Sequence, residues 1–538
     1  MKKCKLKIKS LDILCDIMVK LNWKEKKSNN NLINSFSKKI SPSLEPYEIF
    51  FRPLNEKLSK YVKHPPEFFQ KEDTAESKDQ WKNLLFWGDN KTILLHLLRD
   101  FKSQINLIYF DPPFATGGDF NYKIFIGEGE NSQSSKHWIR EQAYNDKWKQ
   151  GIEGYLNFMQ KRLLLMRELL ADTGSIYVHL DWHISHYIKI LMDEIFGESN
   201  FRNELIWFYP AASAQTKSFF VRSYDSILYY SKTEDYIFND DPHIYMEYSN
   251  RVKNALQQDD KGYFYYRGGS HDGKKLSRKV YVKNKGVFPR DVWMDIPYIR
   301  ANTLEYQGFS TQKPERLLKR IILASSRERD LLADFFCGSG TTLAVAEKLN
   351  RRWIGCDLTP QAIHITKKRL LDLPKSNDIL KWKKKYSKPV RPFMIQRLNS
   401  DAQIAQIPSD FLKKGVKIKE ILEKYGIPVF KADVSKNNKK VSISLIDYEV
   451  PFSDSIAKKV LHSIASFSDW IDYWAVDFTF NGHYFHTMWV AYRTHKDRIL
   501  PLAVQDFEYK EAGEYDIGIK VIDIFGIENE QVFPITIE

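Results

Sequence analysis

Cysteine is scarce: four residues among 538, at positions 4, 15, 337 and 356. They show neither the paired spacing of a zinc site nor the even framework of a disulfide-stapled domain, a usage that suits a reducing compartment. Long apolar runs are missing as well. Asp12 and Asp16 interrupt the stretch from Leu11 to Val19, which argues against a signal peptide or membrane helix, so a cytoplasmic protein without a membrane partner is expected. No nuclease signature and no ATP-binding loop is present, so any cleavage belongs to another chain. His179, His183 and His186 invite a zinc reading. His179 ends the apolar run Ser175 to Leu180, however, while His183 falls in the following helical segment, so structural histidines and no metal are expected.

With 43% hydrophobic and 14% aromatic residues, the chain reads as globular, and its length allows two to four domains. The formal charge is +14, unevenly spread. Residues 441 to 538 carry sixteen Asp or Glu against seven Lys or Arg, which leaves the remainder at about +23 and points to nucleic acid there.

Two motifs carry chemistry. Asp111-Pro112-Pro113-Phe114 follows the apolar run Ile105 to Phe110, which has the length and content of a buried strand. The proline pair ends that strand, so the Asp111 carboxylate and the Pro112 carbonyl can both face a substrate as acceptors. That suits an exocyclic amine, whose lone pair is delocalised until acceptors take its hydrogens. Phe114 would offer a flat face for a base taken out of the duplex.

The second run, Asp330 to Phe336, leads through Cys337 into Gly338-Ser339-Gly340 and a helical segment from Thr341 to Leu349. Strand, glycine turn and helix form a cradle for a nucleotide-like cofactor. No Lys follows the glycines in the phosphate-binding pattern, and position 343 is Leu where a dinucleotide fingerprint needs glycine. Arg352 to Asp357 reads as the next strand, with a carboxylate able to accept from ribose hydroxyls; S-adenosylmethionine fits best.

On these residues the chain resembles the β-class of DNA amino-methyltransferases, in which the catalytic tetrapeptide precedes the cofactor loop, and in particular the Mod subunits of type III restriction-modification systems. The likeness covers roughly residues 81 to 372. Trp87-Gly88-Asp89-Asn90 is similar to the segment whose acid contacts the cofactor adenine, and DPPFATGGDFNY (111–122) to the family's DPPYNTGxDFxY. Residues 174–207 look like its central strand, helix and strand, and Thr311-Gln312-Lys313-Pro314 like the segment beside the methionine moiety. Phe114 replaces the usual Tyr, and Asp334-Phe335-Phe336 the usual Asp-Pro-Phe. Asp at 111 favours adenine-N6 over cytosine-N4 chemistry.

The resemblance implies an α/β fold, a doubly wound, mostly parallel, Rossmann-like methyltransferase sheet. Cofactor contacts are expected from Asp89, Thr311, Gln312, Lys313, Asp334, Phe336, Gly338, Ser339, Gly340, Thr341 and Asp357. We expect a basic N-terminal extension (1–80), a methyltransferase domain (81–375) interrupted by a target-recognition insert (208–300), a connector with a short helix (376–435) and an acidic β-sandwich-like domain (436–538). The insert is aromatic and cationic: Tyr266, Arg267, Lys274, Lys275, Arg278, Lys279, Lys283, Lys285 and Arg290 are candidate DNA contacts, with Asp272 the only acid from Arg267 to Arg290. Asp477 to Phe485, centred on Asn481-Gly482, carries a hairpin signal. Expected partners are double-stranded DNA, a restriction subunit encoded elsewhere and a second copy of the chain. Cytosine-N4 transfer, a non-catalytic DNA-binding subunit and transfer to RNA or protein amines remain as alternatives.

Overall fold

The computed structural model describes residues 21–23, 26–36, 44–50, 81–116, 119–127, 138–145, 148, 150–210, 218, 220–271, 274–282, 286–398, 424, 426–456 and 458–538. Its centre is an eleven-stranded sheet. Across it run Val292–Trp293, Phe201–Phe208, Tyr224–Ser231, Leu170–Leu180, Ile105–Phe110, Leu331–Asp334, Arg352–Asp357, Asn83–Trp87, Phe393–Leu398, Leu44–Phe50 and Phe485–Thr487. Eight strands share one direction; Tyr224–Ser231 and the last two run against them.

The strands nearest the middle read as unbroken apolar runs because both their faces are covered. Ile108 and Phe110 pack with helices Asn90–Phe101, Gly151–Leu169 and Ser185–Phe196 on one face. Leu107 and Tyr109 pack with Glu315–Ser325, Thr341–Lys348 and Pro360–Leu371 on the other. This is the expected doubly wound arrangement. No helix among the described residues is long and apolar enough to cross a membrane.

The C-terminal region forms two facing antiparallel sheets. One holds Val429–Asn437, Lys440–Glu449 and Ala503–Glu508; the other holds Trp489–Tyr492, Ile471–Asp477, Gly513–Asp523 and Glu528–Ile537. Val441, Ile443, Trp474, Val476, Ile519 and Val521 fill the space between them.

Four sequence expectations need correction. Tyr224–Ser231 and Val292–Trp293, assigned to the target-recognition insert, are strands of the central sheet. Leu44–Phe50, assigned to an appended extension, is a member of the central sheet, with Ile49 and Phe50 buried. Phe393–Leu398, assigned to the connector, lies between it and Asn83–Trp87. The Asn481-Gly482 turn forms, with the Asn481 side chain accepting from the His483 amide at 3.0 Å, but its flanks do not pair with each other. Ile471–Asp477 pairs instead with Trp489–Tyr492, and Phe485–Thr487 crosses to lie parallel to Leu44–Phe50. The helical spacing at 413–425 falls almost wholly outside the described residues.

The reason for that crossing is a buried carboxylate. Glu48, fully buried, accepts from Thr487 Oγ1 at 2.7 Å and Tyr473 Oη at 3.0 Å, and pairs with Lys367 Nζ at 3.1 Å. Lys520 Nζ lies 3.8 Å away. Burial alone would raise the Glu48 carboxyl, but the two ammonium groups outweigh it and hold its pKa at about 2. Removing one partner of such a cluster strands the others without water. Glu48→Ala should therefore lower unfolding free energy by about 3–5 kcal/mol in urea titrations at pH 7, while Glu48→Gln, which keeps an acceptor for Tyr473 and Thr487, should lose less.

Candidate active site

Parallel pairing aligns strand ends, and four neighbouring strands of this sheet each end at or just before an acid. Asp111 follows Ile105–Phe110, Asp334 and Asp357 close their own strands, and Asp89 lies two residues beyond Asn83–Trp87. All four acids line one cavity of about 260 Å³, together with Gly338, Ser339, Thr341, Phe309, Thr311, Gln312 and Lys313. The two motifs, more than two hundred residues apart in sequence, thus share a site.

The glycine turn is tight. Gly340 has φ +72° and caps helix Thr341–Lys348, and a Cβ there would stand 2.8 Å from Thr366 Oγ1. Thr366 in turn donates to the Gly338 carbonyl at 3.0 Å, while the Gly338 amide donates to Asp357 Oδ2 at 2.9 Å. The turn can therefore pack against helix Pro360–Leu371 where a side chain could not fit. Asp357 also caps its own turn through the Thr359 amide at 3.1 Å.

Around the first motif, Asp111 Oδ2 pairs with Lys313 Nζ at 2.5 Å, and Oδ1 is buried without a hydrogen-bond partner among the described residues. Phe114 lies nearly parallel to the His179 ring, centroids 6.3 Å apart, with the Lys313 ammonium 5.4 Å from its own centroid. His179 is held at both nitrogens: Nδ1 is 2.9 Å from Tyr109 Oη, and Nε2 is 3.1 Å from Asp225 Oδ2. Tyr209 donates to the other Asp225 oxygen at 2.9 Å. Burial and the nearby Asp111 push the Tyr109 hydroxyl well up, so it stays a neutral donor and His179 gives its Nε2 hydrogen to Asp225. Pro113 lines the cavity, while Pro112 is buried and, with Phe114, lies outside its lining.

The side of the cavity around the glycine turn is dominated by acid. Burial pushes Asp334 up to about 7, even though Thr342 Oγ1 and the Phe336 amide donate to it, and burial raises Asp357 as well. Asp89 caps helix Asn90–Phe101 through the Thr92 amide at 3.0 Å and pairs with Arg162 at 2.8 Å. Arg162, lowered to about 10 by burial, also donates to Asn90 at 2.6 Å and lies over Phe158. Phe158 and Phe336, with centroids 6.1 Å apart, give this wall an aromatic surface.

Several of these partners escaped the sequence reading. Arg162, Asp225 and the buried trio Glu315, Arg369 and Lys348 follow no motif. Glu315 takes Arg369 at 3.0 Å and Lys348 at 2.7 Å, and Arg369 continues to Thr341 Oγ1 at 2.8 Å and the Ser339 carbonyl at 3.2 Å. Among the candidate contacts, Gln312 faces the cavity but its amide is committed within the loop: Oε1 accepts from the Gln307 amide at 2.7 Å, and Nε2 donates to the Glu305 carbonyl at 2.6 Å. Gly340 shapes the turn without lining the cavity.

The candidate DNA contacts stand apart from this cavity. Gly262–His271 and Lys274–Tyr281 form a hairpin that exposes Tyr266, Arg267, Arg278 and Lys279, the last paired with Asp259 at 2.9 Å. Lys274 and Lys275 lie on its second strand, Arg290 is exposed beyond it, and Lys283 and Lys285 fall outside the described residues.

The chain is similar to several known proteins. A family model described as DNA methylase matches residues 105–368. The chain is 32% identical over 347 residues to the type II methyltransferase M.EcaI of Enterobacter cloacae, covering 56% of this chain and 72% of that one. It is 28% identical over 291 residues to the DNA adenine methyltransferase YhdJ of Escherichia coli K12, covering 53% and 84%. The StyLTI Mod subunit of a Salmonella typhimurium type III restriction-modification enzyme is 26% identical over 335 residues, and the match spans about half of each chain. Among solved structures, the M1.HpyAVI–SAM complex aligns with 53% of this chain and 98% of its own, at 17% identity and a TM-score of 0.31. With the Asp111–Phe114 loop and the glycine turn inside the matched span, the chain belongs to the DNA methylase family.

Proposed function

We propose that the protein transfers a methyl group from S-adenosylmethionine to the exocyclic N6 amine of an adenine turned out of double-stranded DNA. One observation carries the reading: Asp111, whose buried Oδ1 has no hydrogen-bond partner among the described residues, and Gly338-Ser339 of the glycine turn line the same cavity. When bound, S-adenosylmethionine supplies an electrophilic methyl group on a sulfonium. The lining fits a cationic nucleoside far better than a phosphate, because four carboxylates surround the cavity and the cations Arg162 and Lys313 are already paired with two of them.

The protein's own groups then have distinct tasks. Asp111 Oδ1 accepts a hydrogen of the target amine and turns its lone pair toward the cavity. Lys313 holds the other oxygen, so the carboxylate cannot swing away. Phe114, backed by His179, offers the flat surface on which a flipped base stacks. The nitrogen loses its extra proton to water after transfer, since Asp111 is held as an ion pair. Asp at position 111 and the adenine-methylating relative favour adenine over cytosine. The hairpin 262–281 reads the DNA, and the named relatives support a role in restriction-modification with a restriction subunit encoded elsewhere.

Asp111→Ala should lower methyl transfer to duplex DNA by about 10²–10³-fold or more while S-adenosylmethionine affinity stays within about threefold. Tritium transfer assays beside calorimetry decide it; an active variant would sink the assignment. Nucleoside mass spectrometry of the product should show N6-methyladenine, and N4-methylcytosine would overturn the base assignment.

The raised Asp334 and Asp357 predict a pH effect. Each is more protonated near neutrality than an ordinary carboxyl, and a bound cation favours the charged form, so binding expels protons. Affinity for S-adenosylmethionine should rise roughly threefold to tenfold as pH climbs from about 6 to 8, whereas the neutral thioether S-adenosylhomocysteine should gain much less. Parallel pH profiles for the two ligands in calorimetry would contradict this.

A further inference from the structure

One turn of the C-terminal domain, residues 495–498, holds two segments that lead toward the cavity. Arg498 donates from Nε to the Gly127 carbonyl at 3.0 Å and from Nη2 to the Phe125 carbonyl at 2.8 Å. Ile126, between them, is buried in the core of the C-terminal domain. Gly127 sits so close to Asp469 that a Cβ would stand 2.6 Å from its Oδ1. Segment 123–127 ends the strand Asp119–Phe125, the next element along the chain after Asp111–Phe114.

The same turn holds a second segment. Lys496 Nζ donates to the Leu304 carbonyl, and the His495 ring contacts both Tyr306, at 6.1 Å, and Phe125, at 6.2 Å. The two segments are tied to each other by the Lys123 amide and the Gly308 carbonyl, 3.0 Å apart. From residues 304–308 the contacts run inward. Gln312 is fastened to Glu305 and Gln307, Phe309 lines the cavity, and Lys313 grips Asp111.

We propose that the turn 495–498 is a positioning element of the active site: Arg498 and Lys496 clamp segments 123–127 and 304–308, and through Gln312 set where Phe309 and Lys313 meet the cavity. The inference rests on the methyltransferase reading for its ligand. It makes the acidic domain part of the catalytic unit, and any partner that pulls on this turn would change cofactor affinity. A side chain that bridges two backbone carbonyls on a loop has this effect because each carbonyl otherwise has several hydrated alternatives.

The test uses the full chain with Arg498→Met, Arg498→Lys and Lys496→Met, each studied well below its melting temperature. S-adenosylmethionine affinity is read by calorimetry, and amide hydrogen exchange is followed over 304–313. Arg498→Met should weaken binding about tenfold and speed exchange there, Arg498→Lys should recover part of the loss, and Lys496→Met should cost about threefold. If the clamp acts through Gln312, Arg498→Met in a Gln312→Ala background should add little further weakening. Parent affinity and exchange in Arg498→Met would overturn the proposal, as would full additivity with Gln312→Ala. Should Arg498→Met fail to fold, Lys496→Met decides alone, because its side chain is exposed and makes one bond to this loop. A parent protein that binds no S-adenosylmethionine would sink the function proposed above, and the exchange over 304–313 would still judge the clamp.

Discussion

Four carboxylates around one small cavity repel one another, and the site is organised by how that repulsion is relieved. Asp89 is neutralised by Arg162 and Asp111 by Lys313, each at hydrogen-bond distance. Asp334 and Asp357 have no cation in contact among the described residues and hold backbone and hydroxyl donors instead, so burial leaves them easier to protonate. A site left with acid to satisfy favours a cation, which decides among nucleotide-like ligands more firmly than the glycine turn does. Glycine turns also cradle phosphates, but a diphosphate here would meet acids at four strand ends and no cation that is not already paired with one of them.

What could be read from sequence follows from burial. Ile105–Phe110 and Arg352–Asp357 are covered on both faces, so they stand out as apolar runs, and the acids that end them are conspicuous. Residues whose role depends on a distant partner leave no such mark. Arg162 and Asp89 are 73 positions apart, and His179 meets Asp225 across 46, so neither pair has a spacing to recognise. Leu44–Phe50 is hidden in sequence because it lies in a stretch rich in charge and Asn/Ser, and Glu45, Pro46 and Glu48 break its apolar run. Only the three-dimensional structure supplies the Lys367 and Lys520 that allow a carboxylate inside. The Asn-Gly signal was sound locally and failed beyond the turn, since local preference cannot report that Phe485–Thr487 has a better partner elsewhere.

The interruption of the methyltransferase sheet has a simple energetic basis. Ile105–Phe110 and Leu331–Asp334 are direct neighbours, although the intervening chain holds four other sheet strands and the basic hairpin. Closing so long a connection costs little more than closing a short one, because the entropy grows only with the logarithm of length. What must be secured is the relative position of the two strand ends. Glu315, Arg369 and Lys348 do this by binding the start of helix Glu315–Ser325 to the glycine turn and to helix Pro360–Leu371. Removing any one of the three would leave buried charge unmatched, so the loop carrying Lys313 cannot drift without a substantial penalty.

Helix Pro360–Leu371 joins this machinery to the C-terminal domain by presenting different chemistry on two sides. Thr366 and Arg369 face the glycine turn, whereas His364, Lys367 and Lys368 face Asp472 and Glu48. Lys368 also donates to the Arg493 carbonyl at 3.1 Å. Domains joined by a loose tether meet through solvated polar surfaces that tolerate sliding. Here the contact surface contains charges removed from water, and each is acceptable only while its partner stays within bonding distance. Sliding by even one residue would expose several unpaired ions to an apolar surround, so this interface has a single favourable registration. The acidic domain is therefore built into the same rigid unit as the cofactor cradle, with helix Pro360–Leu371 as the shared beam.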